Sequence, residues 1–225
     1  MEHVRPGLLA LLAAFSLAGA PGAARAFVWP DTFVARLEAL ALLESLNAEL
    51  LSHDSATVTL QRWCDQYGLA RGQRIIARRV PGAQRLAGGA ERLALRVGPA
   101  EPVAYRHVQL ICGGKVLSEA DNWYLPARLT PEMNRLLNET QTPFGVVVRS
   151  LGYQRRTLSS ELLFRPLPDA WALRPAPLSS PGGVLEIPAH VLRHDAVLTT
   201  PDGAPFSLVS ETYTGEVLAI SPPAP

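Results

Sequence analysis

Apolar residues recur along this chain with two different periods, and the change of period divides it. Behind Pro30-Asp31-Thr32, an N-capping sequence, Phe33, Leu37, Leu40, Ala41, Leu43, Leu46 and Leu50 fall at helical spacing, which predicts an amphipathic helix ending near Ser52. A second helix is expected from about Ser55 to Tyr67, introduced by Asp54, carrying Val58, Leu60, Trp63 and Tyr67, and stopped by Gly68. Gln73 to Val80 reads as a strand, Gly82 to Gly89 as a loop, and Arg92 to Val97 fits either type.

From Val103 onward the pattern becomes short alternating runs separated by turn residues, which points to an antiparallel sheet and not to βαβ units. Val103 to Cys112 is the first such strand, Gly113-Gly114 supplies a tight hairpin, and Val116 to Leu125 returns. Thr130-Pro131 opens a short helix through Leu137, with Thr as N-cap and Pro at the first helical position. Val146 to Arg149 and Gln154 to Phe164 are expected to be extended. Six prolines between Pro166 and Pro188 break regular structure and predict a long surface excursion. The last pair, Val197 to Thr200 and Phe206 to Ile220, is joined by the turn Pro201-Asp202-Gly203. The fold class implied is α+β: a mainly antiparallel sheet with an N-terminal helical pair.

The first 26 residues have the form of a secretory signal. Arg5 gives a weakly basic start, Leu8 to Ala20 is a run of apolar and small residues, and Ala24-Arg25-Ala26 fits the small-x-small cleavage rule. The run is shorter than the roughly 20 residues of a membrane span. The expectation is therefore a signal peptide over 1–26, a periplasmic or secreted location, and one domain over 27–225. That domain divides into a helical lead (27–72), a sheet core (73–164 and 184–221) and a Pro-rich excursion (165–183). Of 21 Lys+Arg and 20 Asp+Glu in the whole chain, cleavage would leave 21 − 2 = 19 and 20 − 1 = 19. No basic excess remains to favour nucleic acid or anionic membrane, so the expected partner is neither of these, and a monomer is expected.

Cys64 and Cys112 are the two cysteines. In an oxidising compartment they would form a disulfide; two separate buried thiols are the alternative, and the sequence leaves both open. No metal site is expected: neither Cys has a partner at ligand spacing, and His190 and His194, four apart, follow Pro188 without an acidic ligand, which favours surface histidines.

Chemistry is sought where a charged residue falls on the apolar face of a strand. In Phe206 to Tyr213, alternation puts Glu211 with Val209 and Tyr213; in Tyr105 to Cys112 it puts Arg106 with Val108, Leu110 and Cys112. A buried carboxylate must be paired, hydrogen-bonded or protonated. Two readings stand side by side: a structural Arg106–Glu211 pair across the sheet, or a pocket in which Arg106 grips a substrate carboxylate while Glu211 acts as a general acid or orients a hydroxyl.

The order Tyr-Arg-His-Val-Gln-Leu-Ile-Cys-Gly-Gly, Ala-Asp-Asn-Trp-Tyr-Leu-Pro, Thr142-Pro143-Phe144-Gly145 and Val-Ser-Glu-Thr-Tyr, from Tyr105 to Thr214, resembles the chorismate lyase family, whose fold also serves as the effector-binding domain of GntR-type regulators. The resemblance implies a small-carboxylate pocket, and in the family itself a cofactor-free elimination of the enolpyruvyl group of chorismate. It implies Glu211 and Arg106 as catalytic residues and His107, Asn122, Phe144, Gly145 and Arg156 as substrate-binding residues. An ungapped match places His107 at the family's Arg position, while a one-residue bulge would restore Arg106; the sequence leaves that choice open. A displaced site Arg and an exported chain both depart from the family. The resulting expectation is an exported binder of a small, aromatic carboxylate, needing no cofactor and with lyase activity in prospect. The alternative is a non-catalytic envelope protein that docks a partner through its sheet or leading helix.

Overall fold

The structure is a computed structural model, and it describes residues 28–70, 72–173 and 182–220. The expected signal sequence, and part of the Pro-rich excursion, lie outside the described residues.

Two helices lead. Helix α1 (Phe33–Ser52) starts at Thr32, whose hydroxyl accepts from the Ala35 amide, and α2 (Ala56–Gln66) starts at Ser55, whose hydroxyl accepts from the Val58 amide. The buried stripe of α1 is Ala35, Ala39, Leu43, Leu46 and Leu50. Its first half therefore differs from the expected one: the two alanines, not Phe33 and Leu37, turn inward, because only small side chains allow the helix to lie close to Trp29 and Leu185.

Six strands follow in one wholly antiparallel sheet: β1 (Ile76–Arg79), β2 (Ala104–Cys112), β3 (Lys115–Tyr124), β4 (Gln154–Leu162), β5 (His190–Thr199) and β6 (Pro205–Thr214). Their spatial order is β1-β2-β3-β6-β5-β4, so β3 and β6 lie at the centre. Gly113 and Gly114, at φ 54° and 87°, close the β2–β3 hairpin, where positive φ favours glycine. A side chain at Gly113 would also overlap Ala70, 2.0 Å from its Cβ. Among the described residues there are three further short α-helices: α3 (Gly89–Leu95), α4 (Pro131–Glu139) and α5 (Phe144–Val147).

Three segments depart from the alternation pattern. Val146 to Arg149, expected extended, is the end of α5 and the start of a 3₁₀ turn over Arg149–Leu151. Val147 and Val148 are buried there against Leu137 and Phe206, and that packing overrides the strand preference of valine. The expected strand from Val197 begins seven residues earlier at His190, because Arg193-His194-Asp195 interrupts the apolar run without interrupting the ladder. The last strand ends at Thr214, and Gly215–Leu218 is a 3₁₀ turn.

Two apolar clusters cover one face of the sheet. The larger joins Leu43, Leu46, Leu60 and Trp63 of the leading helices to Val108, Leu110, Val209 and Tyr213 of the strands. The smaller joins Met133, Leu137 and Val147 to Tyr124, Leu198 and Phe206. Trp29 and Trp63 donate from their indole N–H groups to the carbonyls of Leu218 and Val217, tying the helical lead to the end of β6 and its 3₁₀ turn. Cys64 of α2 and Cys112 at the end of β2 form a disulfide, which fixes α2 to the sheet.

Candidate functional site

The polar residues of the covered face sit where the two apolar clusters meet. Arg106 and Asn122 are register partners on β2 and β3. Glu211 on β6 faces Ala120 on one side and His194 on the other. Arg106, Asn122 and Glu211 are 3%, 4% and 6% exposed. They line a small cavity that α2, the Thr142–Gly145 turn and the sheet enclose. Its apolar walls are Val108, Leu110, Leu198, Val209 and Phe144, with Tyr153 beside them. Phe144 and Tyr153 each pack on Phe206, ring centroids 6.3 and 6.2 Å away.

Glu211 and Arg106 share this cavity but form no ion pair. Glu211 Oε2 accepts from Arg155 Nη2 at 2.6 Å and from the Tyr213 hydroxyl at 3.1 Å. Burial would lower the Arg155 guanidinium, but the Glu211 carboxylate against it prevails and holds it above its ordinary value. Arg106 donates only a long bond, 3.4 Å, from Nη2 to the Thr142 carbonyl. Its Nε and Nη1 are buried with no hydrogen-bond partner among the described residues. Burial lowers this guanidinium to about 10, so it still carries its charge at neutral pH.

The structure separates Arg106 from His107. Arg106 points into the cavity; His107, one residue on, lies on the opposite face, where its Nδ1 meets Asp121 Oδ1 at 2.7 Å. The register of β2 against β3 shifts between Leu110 and Ile111, where Leu117 of β3 is the extra residue. Asn122, Phe144 and Gly145 line the cavity. Asn122 Oδ1 accepts from the Ser207 hydroxyl at 2.9 Å. Arg156 is exposed, while its neighbour Arg155 enters the cavity wall with its side chain 4% exposed. The reason is alternation: Tyr153, Arg155 and Thr157 turn inward along β4, and Gln154, Arg156 and Leu158 turn out.

Sequence reasoning passed over Arg155 and Tyr153, read the start of α2 only as a cap, and took His194 for a surface histidine. The inward alternation through Tyr153 was the available signal for Arg155. His194 is fully buried rather than on the surface: its Nε2 lies 2.8 Å from Asn47 Oδ1 and 3.1 Å from the Ser160 hydroxyl, and its ring packs edge-on against Tyr213. Burial, with Arg155 nearby, lowers it to about 4 against the pull of Glu211 and Asp195. Among the described residues no group of three or more His, Cys, Asp or Glu is placed to hold a metal ion, and no helix is long and apolar enough to cross a membrane.

No family model matches the chain. Among solved structures it is similar to PhnF from Mycobacterium smegmatis, with 16% identity, a TM-score of 0.46, and coverage of 73% of this chain and 65% of that one. It is also similar to YydK from Bacillus subtilis subsp. subtilis str. 168, with 13% identity, a TM-score of 0.40, and coverage of 68% and 63%. The chain thus spans less than two thirds of either. A much nearer relative is the uncharacterized protein y4mC of Sinorhizobium fredii (strain NBRC 101917 / NGR234), 51% identical over 199 residues that make up 88% of this chain and 83% of y4mC. At that identity and coverage the chain belongs to the family of y4mC.

Proposed function

We propose that this protein binds a small, aromatic carboxylate in the cavity between α2 and the sheet, with Arg106 as the anchor. The observation that carries this reading is the buried, charged and unpaired guanidinium of Arg106. An isolated buried cation is costly, and every other buried charge around it is matched: Arg155 has Glu211. A ligand carboxylate would supply the missing bidentate acceptor, and its ring would rest against Phe144 and the aliphatic wall. Asn122, with its Oδ1 already bound to Ser207, offers its amide N–H groups as further donors.

Binding is better supported than catalysis. Glu211, the residue that the family resemblance assigns to proton transfer, holds Arg155 and Tyr213 through one oxygen, and losing its charge would strand Arg155. The Cys64–Cys112 disulfide and the signal-like pattern of residues 1–26 both favour an exported protein, since disulfides persist in oxidising compartments. The test is a thermal-shift panel of aromatic carboxylates, to which the non-aromatic dicarboxylate chorismate is added, with product release followed for chorismate. Stabilisation by an aromatic carboxylate, absent in Arg106→Met, is the expected result. Stoichiometric 4-hydroxybenzoate and pyruvate that vanish in Glu211→Gln would instead make the site catalytic, and no stabilisation by any member would refute the carboxylate reading.

A further inference from the structure

Beside the ligand cavity, and independent of the carboxylate reading, we infer a docking groove for an acidic amphipathic helix of a partner protein. The groove runs between α2, the residues entering β1 and residues 141–149. Thr57, Val58, Gln61 and Arg62 reach it from one face of α2, as their spacing requires. Thr57 alone lines both this groove and the cavity. The apolar lining includes Ile75, nearly buried at 7% exposure, and Ile76 and Val146, each 39% exposed. Large apolar side chains gathered inside a polar rim mark an interaction surface.

Charge selects the partner. Arg62, Arg74 and Arg149 line the groove, and no residue lining it is acidic. Arg74 and Arg149 are exposed and form no ion pair among the described residues, while Arg62 makes a loose contact with Glu49 at 3.7 Å. The whole chain has 21 Lys+Arg against 20 Asp+Glu, so this is a local concentration of positive charge that an acidic partner complements, built from the cation most favoured at protein interfaces. The form of the partner follows from the sheet edge. Strand β1 is an edge strand, yet Gln61 Oε1 accepts from the Ile75 amide and the Gln141 carbonyl from the Ala77 amide. Those donors are closed to an added strand, so recognition falls to side chains. A helix with one apolar stripe flanked by carboxylates matches such a groove; a flat anionic bilayer would meet the arginines without reaching the recessed Ile75.

The probe is a fluorescein-labelled peptide stapled as a helix, with Leu on one face and Glu elsewhere, titrated with the whole protein and read by anisotropy; a twin peptide carries Lys in place of Glu. Saturable binding of the Glu peptide is expected, weakened by added salt, which screens exposed charges. Affinity should fall at least about tenfold in Arg74→Glu/Arg149→Glu, where attraction becomes like-charge repulsion, and should fall in Ile76→Ser through the lost apolar contact. Both arginines are exposed and unpaired, so the double variant should keep the parent's unfolding midpoint. It should also gain binding of the Lys twin, which a folding defect cannot produce. No binding of the Glu peptide by the parent, equal affinity in the parent and the double variant, or equal affinity of the parent for the two peptides would overturn the inference. Binding of the protein to phosphatidylglycerol vesicles without binding of the Glu peptide would assign the groove to a membrane surface and overturn the partner-protein assignment.

Discussion

Glu211 on β6 and Arg106 on β2 look into one cavity from either side of β3, yet Glu211 is bound to Arg155 at 2.6 Å while Arg106 has no carboxylate at all. The expected structural Arg–Glu pair exists, but a different arginine fills it. The two guanidinium groups therefore have separable roles, one supporting the sheet and one left for a ligand.

Opposite stability effects should follow from removing these two buried charges. Glu211→Gln strands Arg155 without its counter-ion and should cost about 3–5 kcal/mol. Arg106→Met removes a cation that is already unpaired, so denaturant unfolding without ligand should show stability equal to or above the parent's.

Coupling between Glu211 and Arg155 gives a stricter check. The double variant Arg155→Met/Glu211→Leu should recover most of the loss of the single Glu211 variant, because apolar replacement of a whole buried pair is often neutral. Additive losses in the double-variant cycle would contradict the pairing.

Acid should weaken the fold through His194. Its folded-state value is about 4 against an ordinary 6.5, so between these values the unfolded chain binds more protons than the folded one. Stability therefore rises with pH from about 4 to 6.5, and the full linkage is on the order of 3 kcal/mol. His194→Gln should flatten that part of a stability-against-pH curve; a slope unchanged in the variant would assign it to other groups.

Reducing the Cys64–Cys112 disulfide, which closes a loop with sequence separation 48, should lower stability by about 4 kcal/mol on the chain-entropy account. Denaturant midpoints with and without reductant measure this, and Cys64→Ser/Cys112→Ser should match the reduced protein.

Side-chain alternation made the heart of the site legible in the sequence. Arg106 and Glu211 stand among apolar residues at every second position, and such positions must face a core or a pocket. The turn Thr142–Gly145 was legible from its Pro and Gly. Arg155 was hidden because spacing from Gly145 led to Arg156, one residue and therefore one sheet face away. His194 was hidden by its charged neighbours Arg193 and Asp195, which are tolerated because they fall on the more open face of β5. The start of α2 was read as a cap only: nothing local in Asp54-Ser55-Ala56-Thr57 tells which part of the sheet that helix end will meet.

The account stands or falls on Arg106 as a ligand anchor. The direct measurement is the affinity of the protein for benzoate and related aromatic carboxylates by titration calorimetry, parent against Arg106→Met. Saturable binding by the parent, weakened at least about thirtyfold in the variant as expected for losing a buried charged contact of about 2 kcal/mol or more, with the variant as stable as the parent, is the predicted result. Equal affinity in the two proteins, or no binding by a folded parent, would contradict it.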